Sequence, residues 1–195
     1  MANRVVYGIK NVHYAVATYD QTTGSVTYDT PKPLPGAVEL SLEPRGEMAE
    51  FYADNTLYFS AQNNQGYEGT LSIALIPEDF AADCLGETKG TDGVIAENAT
   101  AKGKAFALLF EFEGDEKAVR HALYYCTANR PTLAQSTTTD TIEPQPSELT
   151  FVAAPRPSDG LVKSKTTADT SSTVYDGWYS AVYEPGSDTG SDTGA

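Results

Sequence analysis

The chain has 195 residues, with 27 acidic and 13 basic side chains, and its formal net charge at pH 7 is −14. This net charge excludes the class of proteins that bind nucleic acid or an anionic membrane through a basic surface. The length and the 40% of hydrophobic residues predict one domain with a sizeable core.

The cysteines and the N-terminus predict a soluble chain made in a cytosol. Cys84 and Cys126 form neither a CxxC pair nor a zinc-ligand spacing, so we expect two buried thiols. The N-terminus lacks the apolar segment of a signal peptide, and no window approaches the roughly 18 apolar residues of a membrane span. We therefore expect no membrane partner.

Alternating apolar residues predict the first strands. Residues 5–18 alternate loosely and predict one or two strands, whereas residues 38–43 alternate strictly and predict a single strand. The Thr, Gly and Pro residues of segment 20–36 predict an extended turn region between them. The side chains expected on the inner faces are Val12, Tyr14, Val16, Val38, Leu40 and Leu42.

The middle of the chain predicts a strand followed by a short helix. Residues 69–76 alternate, with Leu71, Ile73 and Leu75 expected inside and Thr70, Ser72 and Ala74 outside. Pro77 opens a helical pattern in which Phe80 and Cys84 are four residues apart, and Gly86 ends it. A Gly-rich connection follows, with a short strand expected at residues 94–97.

Residues 104–127 predict a β-hairpin that reverses at residues 114–117. Four inward residues recur at every second position: Phe106, Leu108, Phe110 and Phe112. The other face carries Ala105, Ala107, Leu109, Glu111 and Glu113. The expected cross-strand pairs are Phe112 with Val119, Leu108 with Leu123, Phe106 with Tyr125, and Glu111 with Arg120. The charged pair favours this register over a one-residue slip.

The C-terminal third predicts one more strand and a short helix. Residues 132–143 and 158–172 are polar and loop-like, and residues 147–153 predict a strand. Val174, Trp178 and either Ala181 or Val182 have helical spacing. We expect one domain over residues 1–184 and a disordered low-complexity tail over residues 185–195.

The whole pattern predicts a mainly β protein. It contains seven to nine strands with one or two short helices, which favours a β-sandwich or partly closed barrel. No nucleophile elbow, zinc-protease motif, phosphate loop or dinucleotide-binding motif is present. We therefore predict no catalytic, cofactor-binding or metal-binding residues.

Two interpretations with a chemical site remain as alternatives. Glu111 and Glu113 share a strand face, as a glycosidase carboxylate pair would, although a solvated strand face is the preferred interpretation. The Tyr-rich composition favours a carbohydrate-binding or adhesive module, but Trp178 is the only tryptophan and has helical spacing. His121 lies beside Phe110 in the hairpin register, which favours a packed core histidine.

The succession of these segments resembles the major tail protein, or tail tube protein, of long non-contractile-tailed bacteriophages. The resemblance covers roughly residues 4–183 and depends on the order of the segments. They are YGIKNVHYAV, PLPGAVELSLEP, FYADNTLYFS, GYEGTLSIALIPEDFAADCLGE, KAFALLFEFEG and AVRHALYYCTANRP.

The resemblance implies a structural virion protein with a tail-tube-like fold. In that family, β-sandwich subunits close into hexameric rings, the rings stack into a tube, and DNA passes through without specific binding. It implies no cofactor, and it implies partners in other copies of the chain, the tape measure protein and the tail-end proteins. It also implies assembly in the host cytoplasm and a final location in the virion tail.

A tube of this kind needs a channel wall and an arm that reaches the next ring. An acidic wall of small residues repels duplex DNA, which carries one negative charge per roughly 1.7 Å of axis. From their shared outward strand faces we expect Glu39, Ser41, Glu43, Thr70, Ser72, Glu111 and Glu113 to face this lumen, with Ala74 beside them.

Residues 44–66 are the candidate inter-ring loop, with an ordinary surface hairpin as the equally weighted alternative. Their charged and aromatic residues surround a turn at Asp54-Asn55 and are too mixed for a core hairpin. The residues assigned to the loop are Arg45, Glu47, Glu50, Phe51, Tyr52, Asp54 and Tyr58.

Overall fold

The computed structural model describes residues 3–132, 137 and 144–186. Most of the predicted loop at 132–143 and all but two residues of the predicted tail at 185–195 therefore lie outside the described residues. The strands are β1 (Val6–Asp20), β2 (Ser25–Tyr28), β3 (Lys32–Pro33), β4 (Ala37–Pro44), β5 (Met48–Ala53), β6 (Thr56–Gln62), β7 (Tyr67–Ile73), β8 (Thr88–Lys89), β9 (Ile95–Ala96), β10 (Phe106–Gly114), β11 (Val119–Ala128), β12 (Ser147–Ala153) and β13 (Lys163–Lys165). The helices are α1 (Glu78–Phe80), which continues into a π-helical turn (Ala81–Leu85), and α2 (Ser172–Asp176).

One large antiparallel sheet dominates the described residues. Its strand order is β2-β1-β10-β11-β12-β7-β4, with β3 paired to β1 and β13 paired to β11. The sheet curls around one core and does not close into a barrel, which confirms the predicted mainly β, sandwich-like fold. The β5–β6 and β8–β9 hairpins form two separate sheets of two strands each.

The core fills the concave side of the curled sheet. It joins Tyr14 of β1 and Phe110 of β10 to Leu71 of β7 and Phe151 of β12, all of them at most 1% exposed. Phe80 of α1 closes one end and meets the Tyr14 ring edge-on, with the ring centroids 5.0 Å apart. The inward alternation predicted for β1, β7 and β10 is the alternation that fills this core.

Gly69 of β7 leaves space for the Phe151 ring of β12. Gly69 lies directly opposite Phe151 in the β7–β12 register. A Cβ atom at Gly69 would lie 2.3 Å from the Phe151 ring. Any larger residue at this position would therefore displace the ring from the core.

The β10–β11 hairpin has the predicted register except at its end. The structure confirms the pairs Phe112 with Val119, Leu108 with Leu123, and Glu111 with Arg120. The predicted pair of Phe106 with Tyr125 is wrong, because a bulge between Phe106 and Leu108 shifts the register and places Phe106 opposite Cys126.

Two residues predicted to point inward are exposed. Val38 is 59% exposed because a bulge between Ala37 and Glu39 turns it outward, and Ala37 takes the place against the core. Leu75 is 74% exposed because β7 ends at Ile73 and the chain turns towards α1.

The buried ionisable groups agree with their predicted structural roles. His121 stacks on Phe110 with an interplanar angle of 3°. Burial, together with the nearby Lys163 and Lys165, lowers the pKa of His121 to about 4. Cys84 and Cys126 are free and buried, and burial raises the pKa of the Cys84 thiol to about 12. Both thiols are therefore protonated and unreactive at neutral pH.

We expect Leu71→Ala and Leu75→Ala to differ in stability, because Leu71 is buried and Leu75 is exposed within the segment 69–76. The first variant should lower the free energy of unfolding by about 2–5 kcal/mol, because it opens a cavity in the core. The second should change it by less than about 0.5 kcal/mol, because the side chain is in solvent. Urea denaturation followed by circular dichroism measures both. Equal losses would contradict the strand end at Ile73.

Candidate assembly surfaces

The outer face of β4, β7 and β12 is acidic and built from small residues. The antiparallel registers place Glu39, Ser72 and Glu148 in one cross-strand row, Ser41, Thr70 and Thr150 in the next, and Glu43, Glu68 and Val152 in the third. All four glutamates are exposed, and none of the three strands contains a Lys or Arg residue. We call these three rows the acidic face.

The charge pattern of the acidic face is unfavourable for the stability of the sheet. Glu43 and Glu68 lie directly opposite each other across neighbouring strands, where like charges are destabilising. Glu39 and Glu148 lie in one row on either side of Ser72, with β7 between them. No ion pair to these four carboxylates is recorded within the described part of the chain. A surface that keeps an unfavourable charge pattern is a candidate for function.

The sequence prediction found part of this face and missed the rest. It identified Glu39, Ser41, Glu43, Thr70 and Ser72 from alternation within β4 and β7. It did not include Glu68, Glu148 and Thr150, although alternation around the buried Leu149 and Phe151 would have placed Glu148 and Thr150 outward. Only the β12–β7–β4 register shows that these residues form one surface.

The expectation that Glu111 faces open space is wrong. The C-terminal segment from α2 to Tyr183 packs on the outer side of β1, β10 and β11 and forms a second apolar cluster there. Trp178 is 2% exposed in this cluster, and its indole Nε1 donates to the His121 carbonyl at 3.4 Å. Glu111 lies beneath this segment and is itself 2% exposed.

Glu111 is the centre of a buried polar network. Arg120 Nε donates to Glu111 Oε2 at 3.0 Å, and Asn11 Nδ2 donates to Oε1 at 2.6 Å. The Tyr179 hydroxyl donates to Oε2 at 3.3 Å. Burial and the adjacent Glu111 charge raise the pKa of Tyr179, which keeps the phenol protonated as a donor. The carboxylate is thus satisfied from three elements.

Arg120 ties this network to α2. Its guanidinium donates to the Tyr175 carbonyl and lies over the Tyr175 ring, with its carbon 3.8 Å from the ring centroid. A second arginine anchors the end of the segment, because Arg156 Nη1 donates to both carboxylate oxygens of Glu184 at 2.7 Å. The C-terminal segment is therefore held by charge and by apolar packing at once.

Glu113 lies on the same side of the sheet as Glu111 and forms an ion pair with Lys10. With Glu111 buried and paired, the two residues do not present a pair of free carboxylates in a cleft, which a glycosidase needs. Trp178 is buried as well, so it offers no flat platform for a sugar ring. The described residues contain no cluster of metal-ligating side chains. They also contain no helix long and apolar enough to span a membrane.

The β5–β6 hairpin extends from the end of β4 and pairs with no other described strand. Asp54 and Asn55 form its predicted turn, with φ angles of 52° and 60°. Phe51 lies opposite Phe59 in the hairpin register, and these rings are 60% and 58% exposed. Six large apolar side chains of the hairpin are at least half exposed: Met48, Phe51, Tyr52, Leu57, Tyr58 and Phe59.

The model of the phage tail tube protein family matches residues 2–179. The chain belongs to the phage tail tube protein family. It is therefore a structural component of a virion tail, in a family whose role is not enzymatic. Its solved neighbours include the cap that terminates the tube of an anti-feeding prophage, with 16% sequence identity, 84% of this chain and 94% of that chain covered, and a TM-score of 0.42. None of the curated proteins compared with it matches.

We expect the Glu111–Arg120 pair of this tail tube family member to show strong coupling. Arg120→Met should lower the free energy of unfolding by about 3–5 kcal/mol, because it leaves the Glu111 charge buried without its partner. The double variant Arg120→Met with Glu111→Leu should recover much of that loss. Urea denaturation of both single variants and the double variant measures the coupling. Additive losses would contradict the network.

Proposed function

We propose that this protein is the subunit of a phage tail tube in which hexameric rings stack around an acidic channel that conducts DNA. The long non-contractile type of tail is the one that its sequence resembles. The observation that carries the proposal is the acidic face, where Glu39, Glu43, Glu68 and Glu148 lie exposed on three adjacent strands without a basic residue among them.

A DNA conduit needs such a wall for electrostatic reasons. Lysines or arginines on the wall would bind the duplex by releasing its counterions, and each neutralised phosphate would add to the affinity. Carboxylates repel the duplex at short range, and screening over about 8 Å at physiological salt leaves the centre of a wide channel nearly field-free. The serine and threonine side chains between these glutamates are small and polar, so they keep the wall hydrated.

The proposed lumen lining follows the acidic face. It keeps Glu39, Ser41, Glu43, Thr70 and Ser72, and it adds Glu68, Glu148 and Thr150. Glu111 is left out of the lining because the C-terminal segment covers it. Glu113 is left out because it lies on β10, outside the acidic face, and forms an ion pair with Lys10.

The sheet also offers a way to close a ring. Within the described residues, β2 and β4 are the strands at the two ends of the sheet, so each has an unpaired backbone edge. Pairing of edges between neighbouring subunits would remove both edges from solvent and repeat the acidic face once per subunit around the ring. Glu39 and Glu43 of every subunit would then lie on the same side of the ring.

The β5–β6 hairpin is the proposed inter-ring loop. Together with the residues that lead into it from β4, it contains the residues assigned to that loop: Arg45, Glu47, Glu50, Phe51, Tyr52, Asp54 and Tyr58. A two-stranded hairpin is marginally stable alone in water, and this one exposes aromatic rings along its length. Both properties favour a hairpin that is covered by another subunit. The proposed partners at the tube ends and inside the tube are the tail-end proteins and the tape measure protein.

Purified wild-type protein should form tubes with six-fold end views in negative-stain electron microscopy. A variant without the hairpin provides the matched control. Arg45 and Gln65 are bridged by a 3.0 Å backbone hydrogen bond at the hairpin base, so a short Gly-Ser turn can replace residues 47–63. We expect this variant to keep its melting temperature and lose the tubes. A wild-type chain that stays monomeric under all assembly conditions would overturn the proposed function.

Reversing charge on the acidic face should convert the channel into a DNA-binding surface. We expect tubes of Glu43→Lys with Glu68→Lys to retain a short duplex that wild-type tubes exclude, with retention falling steeply as salt rises. The control Asp29→Lys with Glu78→Lys makes the same change in net charge at exposed positions away from the acidic face. Filter retention of labelled duplex measures both. Equal retention by the two variants would contradict the assignment of the lumen.

A further inference from the structure

Large apolar side chains that are exposed in the described residues fall mainly into two groups. Six belong to the β5–β6 hairpin, and four more lie together where β1 begins and β4 begins: Val5, Val6, Tyr7 and Val38. The remaining three, Tyr19, Leu75 and Val94, are scattered along the chain. Grouped exposed apolar residues mark an interaction surface, whereas single ones do not.

The second group surrounds a cleft where the curled sheet fails to close. Two bulges interrupt the regular geometry of β1, where Gly8 and Asn11 have φ angles of 60° and 52°. A further bulge in β4 turns the Val38 side chain outward. Between the two strands lies a cleft of about 340 Å³. Its lining is mostly apolar and consists of Gly8, Glu39 and the side chains of Val6, Tyr7, Ile9, Val38, Leu40 and Phe112. We call it the β1–β4 cleft.

The hairpin has one face that suits this cleft. The cross-strand pairs of Phe51 with Phe59 and of Ala49 with Ala61 place two rings and two methyl groups on one side of the hairpin. Glu50 and Ser60 pair on the opposite side. The cleft volume lies in the range that takes a small drug-sized group, so it accommodates an aromatic ring.

Charge complements the apolar match. On the other side of Val6 lies a recess that contains Lys117 and Lys165 and has no acidic residue in its lining. The hairpin segment is acidic, because Glu47, Glu50 and Asp54 outnumber Arg45. The chain has about twice as many acidic as basic residues, so a recess with only basic charge is unusual in it. A basic recess beside an apolar cleft is complementary to an acidic hairpin that has an apolar face.

The two surfaces lie at opposite ends of one strand. The cleft contacts β4 near Val38, whereas the hairpin leaves β4 at Pro44. A strand of eight residues spans roughly 23 Å at 3.3 Å per residue. The rings of Phe51 and Phe59 are 60% and 58% exposed, so the hairpin does not occupy the cleft of its own chain, whereas a second copy stacked end-on would bring the two surfaces together.

We propose that the Phe51–Phe59 face of one copy docks into the β1–β4 cleft of a second copy, with Asp54 at the turn of the hairpin directed towards Lys117 and Lys165 of that copy. This inference rests on the proposed function and names the surface that receives the inter-ring loop. Because the donor and acceptor surfaces differ, the contact is head-to-tail and repeats without limit along the tube axis.

A photo-crosslinker in place of Phe59 tests the docking directly. With p-benzoylphenylalanine at position 59 in the full chain, irradiated tubes should give crosslinked oligomers. Mass spectrometry should locate the crosslink in residues 5–9 or 37–40. The same crosslinker at Tyr19, an exposed ring outside both groups, is the control and should give no crosslink to those residues. Tubes that crosslink from position 59 to other segments, or not at all, overturn the docking.

Charge reversal gives an independent measurement. We expect Asp54→Lys to raise the critical concentration for tube assembly, and the triple variant with Lys117→Glu and Lys165→Glu to restore it towards the wild-type value. Phe51→Ala with Phe59→Ala should raise it by about tenfold or more, as loss of a central aromatic anchor does. A triple variant that assembles no better than Asp54→Lys overturns the role of the basic recess.

The two hypotheses fail in different ways. If the wild-type chain forms tubes but the crosslinker at position 59 does not react with the cleft, the proposed tube function stands and only the docking site is overturned. A wild-type chain that forms no tubes overturns the proposed function and the docking together. Melting temperatures of all variants near the wild-type value exclude misfolding as the reason for a loss of assembly.

Discussion

Burial of the β10–β11 hairpin on both of its faces is the constraint on which the rest of the structure depends. On the concave side, Phe106, Leu108 and Phe110 fill the main core. On the convex side, Leu109 and Tyr124 are covered by the C-terminal segment. A strand buried on both faces stabilises its neighbours through packing in two directions, so the central strands fix the positions of the outer ones.

The buried Glu111–Arg120 pair makes this arrangement specific. The carboxylate would be costly beneath an apolar cover if it lacked partners, and the three donors that it receives offset that cost. The same guanidinium bonds to α2. The C-terminal segment thus has one favourable position on the sheet, and the carboxylate cannot contribute to any outer surface while it stays there.

Covering one half of the outer sheet surface leaves the other half free for function. The exposed half is the acidic face of β4, β7 and β12, and the strand that borders it leads directly into the β5–β6 hairpin. The proposed channel wall and the proposed arm between rings are therefore held by one rigid sheet. In the function proposed above, both features serve one purpose, since a conduit needs a repelling inner wall and contacts that repeat along its axis.

The sequence by itself determined the local pattern of this protein. Alternation predicted the inward side chains of β1, β7 and β10, the turn chemistry predicted the hairpin at Asp54-Asn55, and the Glu111–Arg120 match predicted the β10–β11 register. The outward residues of β4 and β7 followed from the same alternation. These features depend on residues close together in the chain, where the period of two is a direct consequence of strand geometry.

Only the tertiary structure decided which outward faces stay exposed. Bulges beside Val38 and between Phe106 and Leu108 shift the alternation without a signal in the local pattern. The cover over Glu111 comes from a segment some 60 residues further along the chain, and strand periodicity is the same for a face in solvent and a face beneath a helix. The acidic face likewise needed three distant strands in register, because burial and shared surfaces are properties of long-range packing.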